Sequence, residues 1–144
     1  MIRFVLLTVT GLAMAGCSAE TQLSNPFGNG ESAHTKLAAF AATSKYPTSQ
    51  PANDLRAVAM INRSNGSVRV INTTDQALRD VRVWVDGNYV TRVDTIPSKG
   101  FVTLNRNDFF DSNGISLSTV KTPVNKVQVE TPDKFYNLQG PVFE

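Results

Sequence analysis

The sequence predicts an all-β fold, a small antiparallel sandwich of about seven or eight strands, in the chain after Asp54. Short runs of β-branched and aromatic residues recur there, and turn residues interrupt them about every eight to twelve positions. In the stretch VRVWVDGNYVTRV apolar and polar residues alternate, and an Asp-Gly pair, which tolerates the positive φ angles of a type I′ turn, divides it into two strands. The single cysteine cannot form an intrachain disulfide, so core packing alone must hold the fold.

Length and composition are those of one ordinary globular domain. The chain has 144 residues, of which 41% are apolar and 18% are charged. The formal net charge is +2, and positive and negative side chains are interleaved along the sequence. Because a nucleic-acid-binding domain normally carries a basic patch or stripe, this distribution argues against a nucleic acid partner.

The first residues follow the pattern of an export signal. Arg3 supplies a positive charge, and the apolar stretch from Phe4 to Ala13 ends in small residues. The 13 residues from Phe4 to Gly16 are too few for a membrane-spanning helix, which needs about 20. We therefore expect residues 1–16 to be a signal peptide.

The residues around the only cysteine point to a lipid anchor. Met14-Ala15-Gly16-Cys17 resembles the lipobox of bacterial lipoproteins, in which Leu, a small residue, and Gly or Ala precede the cysteine. The resemblance implies that Cys17 carries a thioether-linked diacylglycerol and becomes the mature N-terminus. Ser18 then resembles the residue that directs lipoproteins to the outer membrane. In an alternative, signal peptidase cleaves after Ala13-Met14-Ala15 and leaves Cys17 as a free thiol.

A linker separates this signal from the β-domain. Residues 17–53 are rich in Ser, Thr, Ala, Asn and Gly, contain three prolines and show little periodicity. This composition predicts a flexible tether, in which Lys36 to Ala42 forms at most a helical turn or two. The domain boundaries are thus a signal peptide over 1–16, an acylated tether over 17–53 and a β-sandwich over 54–144.

Eight segments of the domain are predicted to be strands. They are Val58 to Asn62, Ser67 to Asn72, Asp80 to Val85, Tyr89 to Ile96, Phe101 to Leu104, Ile115 to Val120, Lys126 to Glu130 and Phe135 to Leu138. Their number and spacing resemble those of an immunoglobulin or fibronectin III domain. The stretch lacks the cysteine pair that bridges the sheets of an antibody domain. The resemblance implies an interaction module.

The central hairpin contains the candidate binding patch. Side chains alternate between the faces of a strand, so the valines at 81, 83 and 85 point into the core while Arg82 and Trp84 point outward. With Asp86-Gly87 as the turn, Trp84 pairs with Tyr89, and Thr91 lies beside them. Exposed aromatic residues stack on sugars or anchor protein partners. In the alternative, the aromatic pair only stabilises the hairpin or is covered by the tether.

Residues for catalysis or metal binding are scarce. The only histidine, His34, lies in the predicted tether, where nothing rigid orients it as a base. Asp111, Asn113 and Gly114 partly fit a calcium loop, but the first aspartate and the final glutamate are missing, so an Asx-type turn is the simpler interpretation. We expect no enzyme activity, no metal and no cofactor.

The sequence therefore predicts a bacterial envelope lipoprotein, lipid-anchored and on the periplasmic or surface side of what is expected to be the outer membrane. Its sandwich is expected to act as a non-catalytic structural or protein-interaction module that pairs with another envelope protein through an exposed sheet edge. The alternative is binding of cell-wall glycan, that is peptidoglycan, through a patch of Arg82, Trp84, Tyr89 and Thr91.

Overall fold

The computed structural model describes residues 32–143, with side chains described as far as residue 138. This part of the chain forms one α-helix and eight strands. In chain order they are α1 (Ala33–Thr43), β1 (Ala57–Ile61), β2 (Val68–Asn72), β3 (Leu78–Val85), β4 (Tyr89–Ile96), β5 (Phe101–Leu104), β6 (Val127–Glu130), β7 (Phe135–Asn137) and β8 (Gln139–Phe143), with 3₁₀ helices at Arg106–Asp108 and Leu117–Thr119.

The strands form two four-stranded sheets. The first sheet has the order β5-β2-β1-β8 and the second has the order β4-β3-β6-β7. Neighbouring strands are antiparallel, except that β8 runs parallel to β1. The predicted all-β sandwich is confirmed.

The main core lies between the inner faces of the two sheets. β1 and β2 alternate buried and partly exposed residues, as expected for strands with one face in a core. The predicted valine face of β3 is also buried. The side chains that build this core include Ala57, Ala59, Ile61, Val68, Val70, Val81, Val83, Val85, Val127 and Val129, and Phe109 and Leu117 join them from the loop after β5.

The strand prediction fails for one segment. Ile115 to Val120 does not form a strand; its middle is the 3₁₀ helix Leu117–Thr119, which the Ser116 hydroxyl caps by accepting from the Ser118 amide. The Arg106 guanidinium donates to carbonyl oxygens of this loop, which satisfies groups that a sheet would otherwise pair. The eighth strand is instead β8, which the sequence analysis left out.

The central hairpin has a different register from the predicted one. Its loop contains three residues, Asp86 to Asn88, so Val85 lies opposite Tyr89 and Trp84 lies opposite Val90. Asp86 and Gly87 adopt φ angles of 51° and 71°, and the Asp86 carboxylate accepts from the amides of residues 125 and 126. Because side chains alternate, the one-residue shift moves Tyr89 and Thr91 to the core face.

Gly66 ends the β1–β2 turn in a conformation that favours glycine. Its φ is +69°, and a Cβ atom there would lie 2.6 Å from Cδ of Arg106. The φ of Gly114 is +77°, and a Cβ atom there would lie 3.8 Å from Cβ of Ala38, which is an ordinary van der Waals contact. An alanine would therefore strain the backbone at both positions, but it would clash with a neighbouring side chain only at position 66.

We expect Gly66→Ala to destabilise the domain more than Gly114→Ala does. Left-handed backbone at a non-glycine residue costs about 1 kcal/mol, and displacing the Arg106 side chain adds about 1 kcal/mol at position 66 only. Urea denaturation of both variants measures the difference. Equal losses of unfolding free energy would contradict the predicted contact with Arg106.

Candidate functional site

The outer face of the second sheet is covered by the segment that precedes the sandwich. Residues 32–53, here called the strap, cross this face, and Ala41 of α1 is buried against Trp84, Val90 and Phe110. Near its end the strap pairs with β7, where Ala52 donates to the Phe135 carbonyl. The predicted flexible tether is therefore wrong for residues 32–53, because their apolar side chains have a surface to bury against. Cys17 and the rest of the predicted tether lie outside the described residues.

Local signals start and end the helix of the strap. The Ser32 side chain accepts from the Thr35 amide at 3.1 Å, which caps the first turn. Leu37, Ala38, Phe40 and Ala41 lie on the face that packs on the sheet. A helix of 11 residues is marginal alone, so packing rather than propensity stabilises it.

Tyr46 fixes the strap to the sheet. Its ring makes T-shaped contacts with Trp84 and Phe135, with ring centroids 5.3 and 5.5 Å apart. Its hydroxyl donates to Oε1 of Gln128 at 2.5 Å. Gln128 is fully buried on β6, and its Nε2 donates to Oδ1 of Asn137 at 2.8 Å. The hydroxyl of Tyr46 thus satisfies a buried acceptor that water does not reach.

The predicted binding patch does not form an exposed surface. Trp84 is only 3% exposed, and its Nε1 donates to Glu130, which also accepts from Arg82 at 3.1 Å. Thr91 is buried on the opposite face of the sheet, and Tyr89 packs against the main core. The register shift separates these side chains, and the strap covers the tryptophan. The alternative reading, in which the tether covers the aromatic residue, is correct for Trp84.

The loop that partly resembled a calcium site is a hydrogen-bonded turn. Oδ1 of Asp111 accepts from the amides of Asn113 and Ile115 at 2.9 and 2.8 Å. These bonds engage an oxygen that a cation would need. Among residues 32–143, no group of three or more His, Cys, Asp or Glu side chains is placed to hold a metal ion. His34 lies on α1, with Nε2 3.9 Å from Oδ1 of Asp108.

An exposed ion pair lies where the strap meets β1. Nζ of Lys134 donates to Oδ2 of Asp54 at 2.6 Å. This hydrogen bond lowers the pKa of Asp54 and raises the pKa of Lys134. The contribution of Asp54 to stability is therefore present at neutral pH and is lost as pH falls through its lowered pKa, whereas that of Lys134 is lost as pH rises through its raised pKa. Solvent screening keeps the contribution of such an exposed pair small.

The outer face of the first sheet presents apolar side chains to the surface. We call it the open face; it consists of Val58, Met60, Arg69, Ile71, Phe101 and Thr103, all partly or fully exposed. Ile71 lies opposite both Val58 and Phe101, so the three form one row across the sheet. Phe101 is 59% exposed, and the Arg69 guanidinium lies 5.0 Å from its ring centroid. Sequence analysis missed this face, although the unbroken apolar run of β1 was its signal.

A groove opens at the end of the sandwich that holds the β1–β2 turn. We call it the end groove; it lies between residues 61–66 and 118–125 and has a volume of about 700 Å³. Arg63, Arg106 and Lys121 line it together with asparagine and serine side chains, and no acidic residue lines it. The charged residues that line it are therefore all basic.

Comparisons with known proteins give no relative. No family model, no curated protein and no solved structure matches the chain. Within the described residues, no helix combines the length and apolar character needed to cross a bilayer.

We expect Tyr46→Phe to lower the free energy of unfolding by about 1–3 kcal/mol, because it leaves Oε1 of Gln128 buried without a donor. Tyr136→Phe is the matched control, since no hydrogen bond is found for its hydroxyl in the described residues. Chemical denaturation followed by tryptophan fluorescence measures both. An unchanged stability of Tyr46→Phe would show that the strap is not held by this bond.

Proposed function

We propose that the chain is a bacterial envelope lipoprotein anchored through acylated Cys17. The support is sequence-based: the only cysteine follows Met14-Ala15-Gly16, at the end of a short apolar segment with signal-peptide character. Two or three acyl chains make membrane attachment effectively permanent. The sandwich would then act at the membrane surface, and the outer membrane is the expected location.

We further propose that the sandwich belongs to the immunoglobulin or fibronectin III-like class. The distribution of strands supports this assignment, because β1, β2 and β5 share one sheet while β3, β6 and β7 share the other. Strands A, B and E and strands C, F and G are divided in the same way in immunoglobulin domains. β4 takes the place of the additional strand beside strand C, and β8 is an addition to this scheme.

The open face is the surface that we assign to partner binding. All five residues of β1 are apolar, a pattern typical of strands that are buried on both faces. In the structure only the inner face of β1 is buried, while Val58 and Met60 remain partly exposed beside Ile71 and Phe101. This mismatch between strand composition and burial is the observation that carries the proposal. The sandwich acts by contact rather than by turnover.

The chemistry of the open face favours a protein partner. Interface cores are enriched in aromatic residues, methionine and arginine, and Phe101, Met60 and Arg69 supply one of each. A glycan would require several polar groups that converge on sugar hydroxyls, whereas Thr103 is the only hydroxyl among these six side chains. We therefore assign the face to the apolar surface of another envelope protein.

We expect mature wild-type protein to carry diacylglycerol on Cys17 and to partition into detergent, and Cys17→Ser to remain in the aqueous phase. Intact-protein mass spectrometry and Triton X-114 partitioning measure these outcomes. A wild-type N-terminus without fatty acid, or detergent partitioning of Cys17→Ser, would overturn the anchor.

We expect Phe101→Ser to lose the protein partner, because an aromatic hot-spot residue contributes about 2 kcal/mol to an interface, which is about thirty-fold in affinity. Crosslinking in native membranes followed by mass spectrometry measures the partner recovered. Ile115→Ser is the matched control, since Ile115 is also an exposed large apolar residue, at 49%, but lies outside the open face. Equal recovery with both variants would remove the open face as the interface.

A further inference from the structure

The end groove combines the positive charges of Arg106 and Lys121 with polar side chains. We propose that it binds the anionic phospholipid headgroups of the membrane in which the chain is anchored. This inference rests on the proposed acylation of Cys17, and it assigns to the anchored domain a second, reversible contact with the bilayer.

The charge of Arg106 is not cancelled by a carboxylate in the described residues. Its guanidinium donates to the carbonyl oxygens of Leu117, Val120 and Thr122, which hold the side chain in place and leave its positive charge intact. Lys121 is exposed and makes no ion pair within residues 32–143. By contrast, Arg82 and Arg92 elsewhere on the surface pair with carboxylates. Arg106 and Lys121 therefore give the groove a positive charge.

The 3₁₀ helix that carries Arg106 lies beside the first described residues of the strap. The described strap begins at Ser32, and His34 approaches Asp108 of the 3₁₀ helix that also carries Arg106. Residues 18–31, fourteen in number, separate this point from Cys17, and such a segment spans at most about 50 Å when fully extended. This length is enough for the groove to reach the bilayer while Cys17 stays anchored in it.

The groove chemistry suits phosphate on an extended surface. Guanidinium and ammonium groups are the usual phosphate partners, and each lysine or arginine near an anionic bilayer strengthens association by about five-fold. The carboxylates of an acidic protein segment could also bind these cations, but such a segment would have to be supplied by a second protein. Membrane headgroups are present wherever the anchored chain is, and we therefore assign the groove to them.

A reporter in the groove tests the proposal on the acylated full-length protein. A fluorophore is attached at Thr122→Cys, because Thr122 lines the groove, is exposed and uses only its main-chain oxygen in bonding to Arg106. The protein is reconstituted in vesicles that carry headgroup-attached quenchers, made either of phosphatidylcholine or of an equimolar mixture with phosphatidylglycerol. We expect stronger quenching in the anionic vesicles, and its loss at high salt, where screening shortens the range of the attraction.

Charge variants identify the groove as the cause. Lys121→Gln is expected to lower the equilibrium constant for headgroup contact about five-fold, whereas Lys121→Arg retains it. Lys99→Gln, which removes one positive charge in the β4–β5 loop, is expected to leave quenching unchanged. Equal quenching in neutral and anionic vesicles, or an equal effect of Lys99→Gln, would overturn the inference.

Two further measurements separate the possible failures. The mass of the reconstituted protein reports acylation, so an acylated chain without anionic quenching overturns only the headgroup contact, whereas an unacylated chain overturns the proposed function. Polyglutamate added without vesicles tests the other occupant. A fluorescence change there, together with equal quenching in both vesicle types, would assign the groove to an acidic protein segment and overturn the membrane assignment.

Discussion

The packing of Tyr46 between Trp84 and Phe135 is the interaction on which the arrangement of the whole surface depends. It closes an aromatic cluster outside the sandwich and completes the hydrogen bonding of the buried Gln128. Without it, the second sheet would expose a tryptophan and a phenylalanine to water. With it, the second sheet has apolar contacts on both faces, whereas among the described residues the first sheet is covered only on its inner face. The asymmetry of the two sheets follows from this single segment.

Much of the fold could be predicted from the sequence, because in most strands the pattern of apolar residues agrees with the pattern of burial. The alternation in β3 correctly placed its valines in the core, and the bounds of β4 and β5 were predicted to the residue. The strand prediction for Ile115 to Val120 was wrong, since its β-branched residues lie in a loop whose carbonyls are satisfied by the distant Arg106. Such a long-range side-chain bond leaves no periodic signal.

The candidate site was harder to predict than the fold for two physical reasons. A third residue in the hairpin loop shifts the register of β4 by one residue. Because successive side chains of a strand point to opposite faces, this shift moves the side chains of β4 to the other face of the sheet. The strap is also weakly amphipathic and short, so its composition resembles a linker. Its order comes from the surface that it covers. The open face, in contrast, had a sequence signal, because all five residues of β1 are apolar and both faces of that strand therefore carry apolar side chains.

The parallel pairing of β8 with β1 constrains the order in which the domain can be assembled. Val58 lies beside Gln139, although nearly all of the sandwich separates them in sequence. Contacts between such distant positions form late, because the intervening chain must first be brought together. The first sheet therefore stays incomplete until β8 is available, and until then the unpaired edge of β1 can pair with another chain.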